Sequence, residues 1–209
     1  MVDWVFVGLG NPGSQYALNR HNVGFMAVDV IADHLSAPSF KIKSNSALSE
    51  VTLPSTSASM ANSASPLTSL PSPKSGNRLF LVKPQTFMNL SARGVAPLLA
   101  FYKIPLDHLV VFHDDLDLEP GRIKIKCGGG NGGHNGLKSL DQTLGKDYWR
   151  VRIGIGHPGH KDAVSGYVLS NFRSEEIKGW VPDRLRKIVE TFDEFLENSN
   201  AAAWAQRIG

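Results

Sequence analysis

Residues 4–24 read WVFVGLGNPGSQYALNRHNVG. The opening run Trp4-Val5-Phe6-Val7 is short, apolar and unbroken, as in a strand buried on both faces. Glycines, an Asn-Pro and a Pro-Gly step then turn the backbone sharply. Beyond the turn, Val23, Met26, Ala27, Val30, Ile31 and Leu35 recur at helical spacing, which predicts an amphipathic helix over about residues 20–35. A strand end, a tight loop and a helix start thus display Asn11, Tyr16 and His21 within one small region. Their chemistry reads as half of a hydrolytic site.

The same stretch contains Gly8-Leu9-Gly10-Asn11-Pro12-Gly13, a match to the dinucleotide-binding glycine pattern. That pattern needs a helix to open at the glycines, so that its N–H groups meet a pyrophosphate. Here Pro12-Gly13-Ser14 prolongs the turn instead. Asp29 and Asp33 lie on the predicted helix rather than at the end of a second strand. Nucleotide binding is therefore the weaker reading of these glycines.

Outward from this stretch, strands and helices alternate. A weak strand is expected over about 48–53, and buried strands over 79–82 and 109–112. PQTFMNLSARG leads into a helix running to about Tyr102 and interrupted by Pro97, which cannot donate a backbone hydrogen bond. Residues 122–127 and 149–155 alternate. Arg122, Lys124 and Lys126 oppose Ile123, Ile125 and Cys127, and Arg150 and Arg152 oppose Val151 and Ile153. GGGNGGHNG precedes a helix over about 136–144. A C-terminal helix carries Val181, Leu185, Ile188, Val189, Phe192, Phe195 and Leu196 as its buried stripe, with Pro182 near its first turn. The whole predicts one α/β domain, a mixed twisted sheet with helices on both faces.

A segment at about 54–77 differs in kind. Of residues 54–75, eight are Ser, four are Pro and one, Lys74, is charged. Such a composition buries too little apolar surface to offset ordering, so a disordered surface insertion is expected. A phosphorylated or partner-binding loop is the functional alternative.

The totals set further bounds. Hydrophobic residues make up 42% of the 209 positions, and charged residues 20%, enough for a sizeable core. The single cysteine, Cys127, excludes an internal disulfide framework and suits a reducing compartment. Its place on the apolar side of its strand suggests core rather than nucleophile. No apolar run approaches the roughly 20 residues that span a bilayer. With the first strand beginning almost at Met1, no cleaved targeting segment is expected. A formal charge of +3 permits a polyanionic partner without requiring one.

The chemistry concentrates at strand ends and helix starts: Asn11 and His21, Asn89, Asp114, and Asn135. Open α/β sheets build sites at the carboxyl ends of strands. A carboxylate orienting an imidazole, with neutral amides donating to an oxyanion, suffices for general-base ester hydrolysis. No G-x-S-x-G elbow offers a serine nucleophile, which leaves water as the attacking group. A metal site is the rival use of His113, Asp114, Asp115, Asp117 and His134, though no H-E-x-x-H spacing supports it. The basic pairs on the two alternating strands read either as a solvated sheet surface or as a phosphate clamp beside the glycine loop.

At VGLGNPGSQYALNRHNVGF, VKPQTFMNLSARGV, HDDLDLEPGRIKIKCGGGNGGHNGLKSL and RVRIGIGHPG the sequence resembles the bacterial-type peptidyl-tRNA hydrolases. The resemblance runs from residue 5 to about 172 and leaves out the Ser/Pro insertion. It implies a three-layer α/β/α domain that hydrolyses the ester between a peptide and the 3′ ribose of tRNA, without metal or organic cofactor and as a monomer. It implies His21 as the general base, Asp114 as its orienting acid and Asn11 at the ester carbonyl. Asn89 and Asn135 would bind the peptide backbone and tRNA 3′ end, with Tyr16, Met88 and His134 lining the cleft. Lys126 and Arg152 would grip a tRNA phosphate. A cytoplasmic location is expected; the insertion, longer than the family's usual connection, suggests a eukaryotic source, for which a mitochondrial location is the alternative.

Overall fold

The apolar run near the N-terminus forms β1 (Trp4–Gly8), buried along its whole length. It pairs in parallel with β4 (Arg78–Pro84) on one side and β5 (Leu109–Asp115) on the other. β5 in turn pairs in parallel with β7 (Trp149–Gly154). Antiparallel strands complete both flanks: β3 (Ser46–Thr52) and β2 (Lys41–Lys43) beyond β4, and β6 (Ile123–Cys127) beyond β7. The seven-stranded order is β2-β3-β4-β1-β5-β7-β6. The computed structural model describes residues 3–53, 77–198 and 200–208, so the Ser/Pro-rich stretch lies almost wholly outside the described residues.

Period-two alternation on strands buried on both faces supplies two cores. Phe6, Leu79, Leu81, Val110 and Phe112 face a cluster shared with α1 (Val23–His34), α6 (Trp180–Asn198) and α7 (Ala201–Ile208). Val5, Val7, Phe80, Val82, Leu109 and Val111 face the other, shared with α2 (Ala92–Tyr102) and α3 (Asn135–Leu144). Each fully buried Leu, Val or Phe side chain contributes about 1.5–3 kcal/mol. α7 folds back on α6 through Trp204, wholly buried, whose indole N–H donates to Thr191 Oγ1 at 3.0 Å. Among the described residues no helix is long and apolar enough to cross a membrane.

The layers and the mixed sheet agree with the sequence reading; several local features differ. The helix expected from about residue 20 begins at Val23, after a 3-10 turn at Arg20–Asn22. β1 abuts that start so closely that a Cβ on Gly8 would lie 2.2 Å from the Gly24 carbonyl oxygen. The weak strand at 48–53 is the second arm of a hairpin, β2–β3. Its two-residue turn, Ser44-Asn45, has both φ angles positive, as a tight hairpin of right-handed twist requires. Pro97 does lie inside α2, which ends at Lys103 in the left-handed conformation. Cys127 is exposed rather than in the core, at the end of β6, the last strand of the sheet.

Candidate active site

Three parallel strands and one helix start converge at the carboxyl edge of the sheet. The loop after β1 carries Asn11, the turn after β4 carries Met88 and Asn89, and β5 carries His113 and Asp114 just before its last residue. The glycine-rich loop after β6 delivers His134 to the start of α3. Together with His21 these residues line a cleft of about 1070 Å³. β1 lies between β4 and β5, whose connecting helices α1 and α2 pack on opposite faces. The cleft therefore sits where an open sheet is expected to bind its ligand.

Asp114 is the hub, with only 3% of its surface exposed. Its Oδ1 lies 2.8 Å from His21 Nδ1 and 2.9 Å from His134 Nε2. Burial alone would raise its pKa, but the two imidazoles outweigh burial and hold the carboxyl well below its usual range. The tautomers follow from the helix cap. His134 is the N-cap of α3, and its Nδ1 accepts the backbone N–H groups of Gly136 at 3.1 Å and Leu137 at 3.3 Å. A nitrogen that accepts two such bonds carries no proton, so Nε2 bears it and donates to Asp114. With that carboxylate ionised, His21 donates from Nδ1 to the same oxygen. His21 Nε2 then carries the lone pair and is left to the cleft.

Asn11 is fixed just as closely. Its backbone N–H donates to Asn22 Oδ1, and Asn22 Nδ2 donates back to the Asn11 carbonyl, both at 2.9 Å. The Met88 N–H donates to Asn11 Oδ1 at 2.9 Å. That bond sets the amide's orientation and leaves Nδ2 as a donor without a protein partner among the described residues. Asn89 and Asn135 are exposed on the cleft wall, and Met88 is buried beneath it.

His21, Asp114 and His134 also offer three donor atoms within 4.8 Å of one another. They fit a cation poorly. A ligating His134 Nε2 would have to lose its proton while Nδ1 stays committed to the helix cap, leaving an imidazolate. Asp115, another sequence candidate, is occupied by Arg152, which donates to it from Nε at 2.7 Å and Nη2 at 3.2 Å. His113 donates from Nδ1 to the Asp114 carbonyl at 2.7 Å, and its buried Nε2 has no partner among the described residues. Burial first, then neighbouring His134, push its pKa well down, so it stays neutral.

Of the basic pairs, Lys126 and Arg152 both line the cleft, and Lys126 has no ion pair among the described residues. Arg150 departs from both sequence readings: it is fully buried. It donates to Asp141 Oδ1 at 2.8 Å and to the Gly130 carbonyl at 2.7 Å, pinning the glycine loop to α3. Tyr16 sits half-buried on the 3-10 turn Ser14–Tyr16, carried there by Gly13 at φ +114°, and is not among the cleft-lining residues. Asn22 is a residue the sequence reading missed, and Arg150 one whose role it misread. Both act through partners distant in sequence or on another element.

The sequence model of the family described as peptidyl-tRNA hydrolase matches residues 5–208. The chain is 49% identical over 177 residues to a peptidyl-tRNA hydrolase of Beijerinckia indica, covering 85% of this chain and 78% of that protein. It is 49% identical over 179 residues to one from Methylobacterium nodulans, covering 86% and 77%. A crystal structure of peptidyl-tRNA hydrolase from Acinetobacter baumannii superposes with a TM-score of 0.81 at 32% identity, covering 99% of this chain and 94% of that one.

Proposed function

The chain belongs to the peptidyl-tRNA hydrolase family, and from that premise we propose how its cleft works. The protein is a peptidyl-tRNA hydrolase, a carboxylic-ester hydrolase that frees tRNA for translation. His21 is the general base. Its Nε2 takes a proton from water as the oxygen attacks the ester carbonyl carbon. The imidazolium so formed keeps its Nδ1–H on the buried Asp114 carboxylate. Asn11 Nδ2 donates to the oxyanion of the tetrahedral intermediate. Collapse breaks the bond to the ribose 3′ oxygen, and His21 returns its proton to that oxygen, leaving a free peptide carboxylic acid and a tRNA 3′ hydroxyl.

One observation carries this reading: the helix cap on His134 Nδ1 makes His134 a donor to Asp114, and the ionised carboxylate then takes the His21 Nδ1–H as well, which supports Nε2 of His21 as the base. A positioned general base contributes about 10²–10⁴ in rate, and an oxyanion donor about 10²–10³. Water suffices as nucleophile because an ester is already activated. Asn89 and Asn135 hold the peptide backbone and tRNA 3′ end beside Met88 and His134. Neutral amides suit an acylated amine and not the cationic amine of aminoacyl-tRNA. Lys126 and Arg152 grip phosphate, Arg152 being held in place by Asp115; such contacts serve every tRNA because they read no base. A cleft lined by residues of one chain supports a monomer, and a tRNA substrate supports the cytoplasm or, for a eukaryotic source, the mitochondrion.

The test is release of an N-acetylated amino acid from its tRNA, compared with the unblocked charged tRNA. The blocked substrate is expected to turn over at least about 10²-fold faster. Equal rates would remove the amide recognition, and no release would remove the function.

A further inference from the structure

Arg20 stands one residue before His21 and takes no part in the chemistry above. Only 3% of it is exposed. Its guanidinium grips a single stretch far along the chain. Nη1 donates to Ser170 Oγ at 2.9 Å and to the Asn171 carbonyl, and Nη2 donates to Glu176 Oε2 at 2.5 Å. The cation lies 4.6 Å from the centre of the Tyr167 ring and 5.2 Å from that of Phe172. The backbone repeats the grip: Arg20 N–H donates to the Ser170 carbonyl at 3.0 Å, and Phe172 N–H to the Leu18 carbonyl at 2.9 Å. Asn19 Nδ2 adds a bond to Asn171 Oδ1 at 2.7 Å.

What Arg20 holds is the end of a cleft wall. The turn Lys161–Ala163 and the short helix α4 (Val164–Val168) precede the gripped residues. Lys161, Val164, Ser165, Val168 and Leu169 all line the cleft. This wall has little core of its own: Val168 is the one buried residue of α4, and Leu169 is 43% exposed. A segment with so few buried apolar contacts opens locally unless something else fixes it. The planar guanidinium, with its forked donors, is suited to fixing position, whereas a buried ion pair adds little net stability compared with apolar packing.

We propose that Arg20 is a positioning residue that ties the cleft wall at 161–169 to the turn bearing His21. The inference rests on the functional reading above. His21 itself remains held by Asp114, so loosening the clamp frees the wall and not the base. Productive seating of the peptide end weakens while the chemical step survives.

The test uses the full chain with Arg20→Lys and, as the milder change, Glu176→Gln, which lies outside the cleft. Hydrogen exchange of the 161–170 amides is expected to quicken about tenfold, with the amides of β5 at wild-type protection. With N-acetylaminoacyl-tRNA, KM should rise about three- to tenfold and kcat stay within about twofold. Exchange that quickens equally in β5 and at 161–170, with KM unchanged, would make Arg20 a matter of global stability and overturn the proposal. Unchanged exchange at 161–170 would overturn it too. If the wild type released no amino acid, the functional reading would fail, while the exchange result would still judge the clamp.

Discussion

Replacing Asp114 by Asn separates the charge of the hub from its geometry. Both imidazoles donate to one oxygen, Oδ1. An Asn carbonyl oxygen at that position accepts both bonds. His134 enforces this orientation, because its Nε2 proton is fixed by the cap on Nδ1 and would clash with an NH₂ group. The tautomer and aim of His21 are therefore kept, and only the negative charge is lost. A unit charge pair about 4 Å apart is worth about 4 kcal/mol at an effective dielectric of 20. With roughly half of the imidazolium charge developed in the transition state, the loss is about 2 kcal/mol, or about 30-fold in kcat, with about 10³-fold as the limit for full charge. Asp114→Ala removes orientation as well and should fall further. The assay is single-turnover release of N-acetylamino acid from tRNA by Asp114→Asn, Asp114→Ala and His21→Ala. An Asn variant as slow as His21→Ala would mean that the amide flips and the cap argument fails. An Asn variant at the wild-type rate would mean that the charge plays no part.

His134→Asn should keep the α3 cap while losing the bond to Asp114, so activity should drop with little change in Tm, whereas His134→Ala should also cost about 1 kcal/mol of stability by urea denaturation. His113 is buried neutral with its pKa pushed down, so the unfolded chain takes up its proton first as pH falls below about 6.5. Stability tied to this residue is thus whole above that pH and lost below it, and His113→Gln should lose about 2 kcal/mol less than wild type between pH 6.5 and 4.5 in urea titrations. Asp114 does not enter that window, since its contribution is lost only below the ordinary carboxylate value of 3.8. Lys126→Ala and Arg152→Ala should each raise KM and lower its log–log salt slope by about one, with kcat less affected; an unchanged slope would acquit them of phosphate binding.

The reading of residues 4–24 carried far because an unbroken apolar strand, a Pro-Gly turn and a helical period each leave a distinct mark. The β2–β3 hairpin left a fainter one. Lys41-Ile42-Lys43 is a short edge strand with Ile42 exposed, and Ser44-Asn45 is not the Asn-Gly pair that usually signals such a turn. The strand alternation that placed Lys124 and Lys126 misjudged Arg150. Period two tells which face a side chain takes, but not that a helix with Asp141 covers that face. Cys127 erred the other way, since alternation cannot show that a strand is last in its sheet. Within the site, the residue types at His21, Asp114 and Asn11 were legible. The cap that sets the tautomer was not, because it depends on where α3 begins to within one residue.

The most direct measurement is the single-turnover rate of N-acetylaminoacyl-tRNA hydrolysis by His21→Ala beside wild type, with tRNA binding measured on the same preparation. The account predicts near-normal binding and a rate lower by about 10²–10⁴. A folded variant that binds tRNA and cleaves within tenfold of wild type would contradict it.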